Sequence, residues 1–127
     1  MLYKETTEKI LNASFEVHKA LGSGFLESVY EAALATEFDL QNISFERQKK
    51  LDVFYKNRTV KSFYADYLVE GRVLVELKAI RTYTENEIAQ VLNYLKGGGI
   101  EVGLLLNFGS SSLQWKRLIN SKKEKSV

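Results

Sequence analysis

Three residues stand out because they are charged where their neighbours are apolar. In the run "VLVELKA", residues 73–79, Glu76 and Lys78 interrupt an otherwise aliphatic strand pattern. Asp66 does the same in the mixed aromatic and aliphatic run "FYADYLV". Side chains alternate across a strand, so Glu76 and Lys78 project to one face with Leu74, while Val73, Val75, Leu77 and Ala79 project to the other. Burying a carboxylate and an ammonium side by side is costly unless the charges are paired or bind an ion. Aspartate is also a poor strand former. If Asp66 faces the same side as Glu76, two carboxylates sit close enough to share a divalent cation. The plain alternative is an internal Asp–Lys–Glu salt-bridge cluster with no chemistry.

Sharing an ion demands a particular register. Opposed residues of an antiparallel pair share a face. Asp66 opposite Glu76 places Val69 opposite Val73 and leaves Glu70, Gly71 and Arg72 as a three-residue loop. A two-residue loop would set Asp66 against Val75, on the wrong face. Gly71 or a bulge must absorb the odd residue.

The surrounding elements follow from periodicity. Residues 6–21 read as a helix with Ile10, Ser14, Val17 and Leu21 on one stripe, widened by Leu11, Phe15 and His18. Gly22 and Gly24 end it. Residues 26–41 read as a second helix, with Val29, Ala32, Ala33 and Leu40 on the buried side and Glu27, Tyr30 and Glu31 elsewhere. Phe45, Leu51, Val53 and Tyr55 then alternate with polar residues as in a half-buried strand. "KNR" is a turn, residues 59–69 form a second strand, and residues 72–80 form a third, buried on both faces. Thr84 with Glu87 three residues later is a capping-box pattern opening a third helix. Ile88, Val91, Leu92 and Leu95 supply its apolar face, and Gly97, Gly98 and Gly99 stop it. "EVGLLLNF" reads as a central buried strand, and "SLQWKRLIN" as a further strand with Leu113, Trp115, Arg117 and Ile119 on one side. The order α-α-β-β-β-α-β-(β) predicts an α/β fold: a mixed sheet of four to five strands flanked by helices. The crossover after the third helix should be right-handed and bring residues 101–108 parallel to a core strand.

Other polar candidates have simpler readings. Glu27 opens a helix, where a carboxylate is favoured by the dipole. Gln90 reads as a solvent-facing amide, and Tyr30 and Tyr94 as packing residues. His18, the single histidine, sits at a core edge. With no cysteine and one histidine, Ser-His-Asp, Cys-His and zinc-finger schemes lack their residues. "GGGIEVG" lies between a helix and a strand, the wrong order for a dinucleotide fingerprint. Arg47, Lys49, Lys50, Lys56, Arg58 and Lys61 crowd the predicted hairpin, either as a guard against edge pairing or as a basic contact surface.

Composition sets outer bounds. A chain of 127 residues is the size of one domain and can bury a core without disulfide or structural metal. Residues 1–120 are expected to form one domain, and the basic tail "SKKEKSV", residues 121–127, to be frayed and disordered. A net charge of +2 does not by itself argue for nucleic acid. The start "MLYKETTEK" has no apolar signal region, and no apolar run is long enough to span a bilayer. A cytoplasmic protein without membrane association is the expectation.

Four separated segments carry a family resemblance. "GFLESVY", with Gly24, Glu27 and Tyr30, resembles the signature of the GxxExxY proteins. "ADYLVEGRVLVELKAI", "AQVLNYLK" and "GLLLNFGSSSLQWKR" follow in that family's order, so that the likeness covers residues 5–120. GxxExxY proteins resemble a branch of the PD-(D/E)xK phosphodiesterase superfamily. The resemblance implies a restriction-endonuclease-like core and a nuclease site. Asp66 matches the metal-binding aspartate and Glu76 and Lys78 the E-x-K pair. Gln90 matches a glutamine on the following helix, and Glu27 a helical glutamate that can complete the metal site. The implied activity is phosphodiester hydrolysis of DNA or RNA with Mg²⁺ or Mn²⁺ held by Asp66, Glu76 and the Leu77 carbonyl. Lys78 would orient a water or stabilise transition-state charge, and Gln90 would position the nucleophile or a phosphate. The alternatives are an inactive nucleic-acid-binding module or a protein-interaction domain that keeps the same fold. A chain this small has little room for a deep cleft, so a homodimer or another partner is an expectation.

Overall fold

The structure, a computed structural model, describes residues 1–120. The tail expected to be disordered, residues 121–127, lies outside the described residues. Eight elements follow in order: α1 (Lys4–Leu21), α2 (Glu27–Leu40), β1 (Phe45–Tyr55), β2 (Arg58–Val69), β3 (Val73–Lys78), α3 (Glu85–Gly98), β4 (Val102–Asn107) and β5 (Gln114–Ile119). The five strands form one sheet in the order β1-β2-β3-β4-β5. All neighbours are antiparallel except β3 and β4, which run parallel on either side of the α3 crossover. The fold class read from the sequence is therefore the observed one, and the ambiguous final segment is a strand.

The sheet separates two cores. α1 and α2 cover one face, where Ile10, Val17, Tyr30, Leu34 and Phe38 pack on Tyr67, Val69, Val73, Val75, Leu77 and the β4 residues Leu104 and Leu106. α3 covers the other, where Val91 and Leu95 pack on Leu51, Ala65, Leu74, Leu105 and Leu118. Alternation along β3 and β4 divides these sets as expected: odd residues of β3 face α1 and α2, and Leu74 faces α3.

Two of the helix faces differ from the sequence reading. In α2 the buried residues are Tyr30, Leu34, Ala35 and Phe38, whereas Val29 and Leu40 are exposed. The helix has apolar residues around most of its circumference, so periodicity does not choose a face. Tyr30 chooses it: its ring stacks on Phe108 at a centroid distance of 5.0 Å, and its hydroxyl donates to the Gly22 carbonyl at 2.5 Å. The same hydroxyl accepts from the Phe25 N–H, so a buried polar atom is fully used. In α1, Phe15 is exposed, while Thr6, Thr7 and Ala13 are buried instead.

Gly97 and Gly98 do not stop α3; both lie inside it, and Gly99, at φ +67°, is the left-handed cap. The reason is proximity to β1. A Cβ on Gly97 would stand 2.8 Å from Val53 Cγ2, and one on Gly98 2.9 Å from Leu51 Cδ2. These glycines let the helix lie close against the hairpin. Leu92, read as part of the apolar face, is exposed.

A carboxylate pair at the splayed end of two central strands

The β2–β3 register is the one that two converging acids require. Val69 pairs with Val73, Leu68 with Leu74 and Tyr67 with Val75. Glu70 and Gly71, at φ +53° and +66°, turn the three-residue loop, which the Arg72 N–H closes by donating to the Val69 carbonyl at 3.0 Å. One step further, at Asp66 and Glu76, the ladder stops and side chains replace it. The Asp66 N–H donates to Glu76 Oε1 at 2.8 Å. The Leu77 N–H donates to Asp66 Oδ2 at 2.8 Å. Each carboxylate thus occupies the place of a backbone acceptor from the opposite strand.

The strands part here because β2 changes face. Phe63 and Ala65 pack with the α3 core, whereas Tyr67 and Val69 pack with the α1/α2 core. Strict alternation would put all four on one face. The switch falls at Asp66. Its counterpart on β1 is Gln48, between the Arg47–Tyr67 and Lys49–Ala65 pairs, and Gln48 has φ +51°. β1 changes face as well: Phe45 packs with the α1/α2 core and Leu51 with the α3 core. The single half-buried face read for β1 is thereby corrected.

Burial makes the pair electrostatically expensive. Glu76 is 5% exposed. Its carboxyl is pushed up to about 8, chiefly by burial, then by the charge of Asp66. Asp66 is raised to about 6, again chiefly by burial; the Leu77 N–H pulls it down, and Glu31 and Glu27 push it up. Lys78 lowers both acids but by less than burial raises them. Among the described residues no ion pair joins Lys78 to an acid. The internal salt-bridge cluster, the plain alternative for these three residues, is therefore not what the structure holds. Lys78 is half-buried.

Glu27 is the first residue of α2, as expected, and is exposed. Among the described residues no three Asp, Glu or His side chains converge closely enough to hold a metal ion together. Glu27 therefore stands off from the pair and acts on it through charge. Glu31, one turn later, acts on Asp66 in the same way, although the sequence reading places it off the buried side. Its carboxylate accepts from Gln48 Nε2 at 2.8 Å and lies 3.5 Å from Arg47 Nη2, which ties α2 to β1 beside the irregular Gln48. The signal for it is the i, i+4 spacing of Glu27 and Glu31 on the stripe that also holds Tyr30 and Leu34.

On the opposite side, α3 brings Gln90 and Tyr94 to the α3 face of the sheet. Gln90 Nε2 donates to Tyr94 Oη at 3.3 Å. The Tyr94 hydroxyl is raised by burial and then by the Glu76 charge, so it lies within range of the pair. The capping box that starts α3 is complete: the Asn86 N–H donates to Thr84 Oγ1, and the Thr84 N–H donates to Glu87 Oε1 at 2.6 Å.

The end of β3 is braced from β4. Asn107, fully buried, accepts from the Ile80 N–H at 2.9 Å and the Gly109 N–H at 3.1 Å, and donates to Gln114 Oε1 at 2.9 Å. The Phe108 N–H donates to the Lys78 carbonyl at 2.8 Å. A Cβ on Gly109 would overlap the Ile80 carbonyl oxygen, so the two backbones touch. These contacts fix the segment that carries Lys78.

The site's donor set suits a hard divalent cation. Two desolvated carboxylates repel each other, and one oxygen of each is already used by a backbone N–H. A strand residue's N–H and C=O point to the same side. The Leu77 N–H faces Asp66, so its carbonyl faces the same gap.

A family model described as the PD-(D/E)XK nuclease superfamily matches residues 4–118. No curated protein matches the chain. Among solved structures, the crystal structure of SSO0001 is similar in fold, with a TM-score of 0.54 at 15% identity, over 92% of this chain. The chain spans only 59% of the length of that protein. By the extent of the family match, and with an observed strand order that fits it, the chain belongs to the PD-(D/E)XK nuclease superfamily.

Proposed function

We propose that the chain hydrolyses phosphodiester bonds of nucleic acid at Asp66, Glu76 and Lys78 with a divalent cation. Within the superfamily it takes its place beside the GxxExxY proteins on Gly24, Glu27 and Tyr30. The observation that carries the reading is the reciprocal hydrogen bonding of Asp66 and Glu76 at the point where β2 and β3 part. It turns one buried and one half-buried carboxylate toward one gap, beside a lysine that forms no ion pair among the described residues.

Asp66, Glu76 and the Leu77 carbonyl would hold Mg²⁺ or Mn²⁺. Such an ion supplies Lewis acidity toward a phosphoryl oxygen and acidifies water at neutral pH. The rest belongs to the chain. Lys78 offers positive charge where the transition state gathers negative charge, in a partly desolvated site where such charge acts strongly. Glu27 and Glu31 add negative potential that draws cations toward the pair. Gln90, held by Tyr94, presents an amide that can orient a phosphate or the attacking water.

The second reading, a binding module that no longer cuts, is favoured by the lack of a third acid at the pair among the described residues. A panel of single- and double-stranded DNA and RNA with Mg²⁺ and Mn²⁺, run beside Glu76→Ala and Lys78→Ala, separates the two. Hydrolysis lost in both variants supports the enzyme. Equal activity in all three proteins overturns it, and no binding of either ion at millimolar concentration favours the binding module. Among the described residues no helix is long and apolar enough to cross a membrane.

A further inference from the structure

The β1–β2 hairpin is unusually aromatic for an exposed element. Phe54, Tyr55, Val60 and Tyr64 each leave more than half of their surface open. Basic residues surround them: Lys56, whose ammonium lies 5.4 Å from the Tyr55 ring centre, Arg58 and Lys61. Between this hairpin and the last turns of α3 runs a groove of about 450 Å³. Phe54 and Phe63 line it together with Lys61, Lys96 and Asn93, and no acid is among its lining residues.

Two local features make the groove. The β1–β2 register shifts between Val53 and Phe54, because Val53 pairs with Lys61 and Phe54 with Thr59, leaving Val60 over. Such a bulge bends and twists a hairpin away from its regular course. Gly97 forms part of the lining, and a Cβ there would stand 2.8 Å from Val53 Cγ2. Tyr94 links the groove to Gln90. Phe63 stacks on Tyr94 with ring centres 4.7 Å apart, and Tyr94 holds Gln90. Gln90, Tyr94 and Gly97 lie on one stripe of α3, and Gly97 lines the groove.

We infer that this groove binds unpaired nucleotides of a single-stranded nucleic acid and leads the strand toward Asp66 and Glu76. Aromatic walls offer stacking to any base, and lysines track phosphates; together they are the chemistry of single-strand grooves. The volume suits one small organic moiety rather than the width of a duplex. The inference deepens the proposed function and rests on it for the direction of the strand.

The test measures anisotropy of a labelled oligothymidylate with the whole chain in EDTA, beside a duplex of the same length and polyglutamate. Hydrolysis of bis(p-nitrophenyl) phosphate with Mn²⁺, a substrate too small to need the groove, is followed in parallel. Phe54→Ala should weaken oligothymidylate binding about tenfold. Lys61→Glu with Lys96→Glu should weaken it further and flatten its salt dependence by about 0.7 in logarithmic slope for each lysine that no longer meets a phosphate. Small-substrate hydrolysis should be unchanged in both variants. Unchanged oligothymidylate binding in both variants overturns the inference. So does a duplex or polyglutamate that binds as tightly and is weakened as much. If the unaltered chain fails to hydrolyse the small substrate, the hydrolytic reading fails, and the binding comparison still decides the groove.

Discussion

Asp66 and Glu76 are hydrogen-bonded across the parting of β2 and β3, each carboxylate accepting an N–H from the opposite strand. The arrangement resolves a conflict. The strands need acceptors where their ladder ends, and the proposed site needs two acids facing one gap. A single pair of residues meets both needs, so the proposed chemistry and stability are coupled at this point.

That coupling has a pH signature. Both carboxyls titrate higher in the folded chain than in the unfolded one, so the folded state holds more protons. In EDTA, the stabilising effect of the neutral acids is present below about pH 4 and is lost as pH rises through about 6 for Asp66 and about 8 for Glu76. Tm in EDTA should therefore fall between these limits, and Glu76→Gln should flatten the fall. Mn²⁺ should raise Tm more at pH 8 than at pH 5. Scanning calorimetry that gives a flat Tm across this range in EDTA would contradict burial as the force acting on these acids.

Lys78→Ala should reduce kcat about a hundredfold or more while leaving the cation affinity of the pair nearly unchanged. The side chain forms no ion pair among the described residues, so stability should change by less than about 1 kcal/mol. Steady-state kinetics, calorimetric Mn²⁺ titration and urea denaturation check these three parts. A large drop in stability would show that Lys78 is structural.

Gly109→Ala and Gly97→Ala should differ. At Gly109 the added carbon overlaps the Ile80 backbone, which cannot yield without moving the end of β3. A destabilisation of about 3 kcal/mol is expected, together with loss of activity through displaced Lys78. At Gly97 the added carbon meets a Val53 methyl group, which can shift, and alanine gains about 1 kcal/mol of helix propensity. The net destabilisation should be no more than about 1–2 kcal/mol. Urea denaturation of both variants makes the comparison.

Tyr30→Phe removes a buried hydroxyl that donates to Gly22 and accepts from Phe25. Leaving that carbonyl and N–H without their partner should cost about 1–3 kcal/mol. These bonds hold the turn from which Glu27 projects, so activity should fall more steeply with decreasing Mn²⁺ than in the unaltered chain. Activity measured across a Mn²⁺ series decides it.

Much of the fold is legible in the sequence because its signals are local. The β2–β3 loop follows from asking where Asp66 must face, and its observed pairing from Val69 to Val73 agrees. The third helix announces its start through Thr84 and Glu87. What stays hidden depends on tertiary contact. Nothing in the composition of β1 marks Gln48 as the place where two strands change face, since a positive φ there is imposed by packing on both sides. Tyr30 reads as a residue off the buried side until Phe108, far along the chain, supplies a ring to stack on. Glu31 escapes notice for the same reason, because the partners that hold it, Arg47 and Gln48, lie on a strand and not on its own helix.

The sheet order also bears on how the chain folds. β1, β2 and β3 follow one another as a meander, so their pairings close short loops, whereas the parallel β3–β4 pair waits for the whole α3 crossover. Pairings of short sequence separation form at lower entropic cost. The acids should accordingly meet before β4 docks, and in pulse-labelled hydrogen exchange during refolding the Leu77 amide, which Asp66 shields, should gain protection ahead of the Leu104 amide.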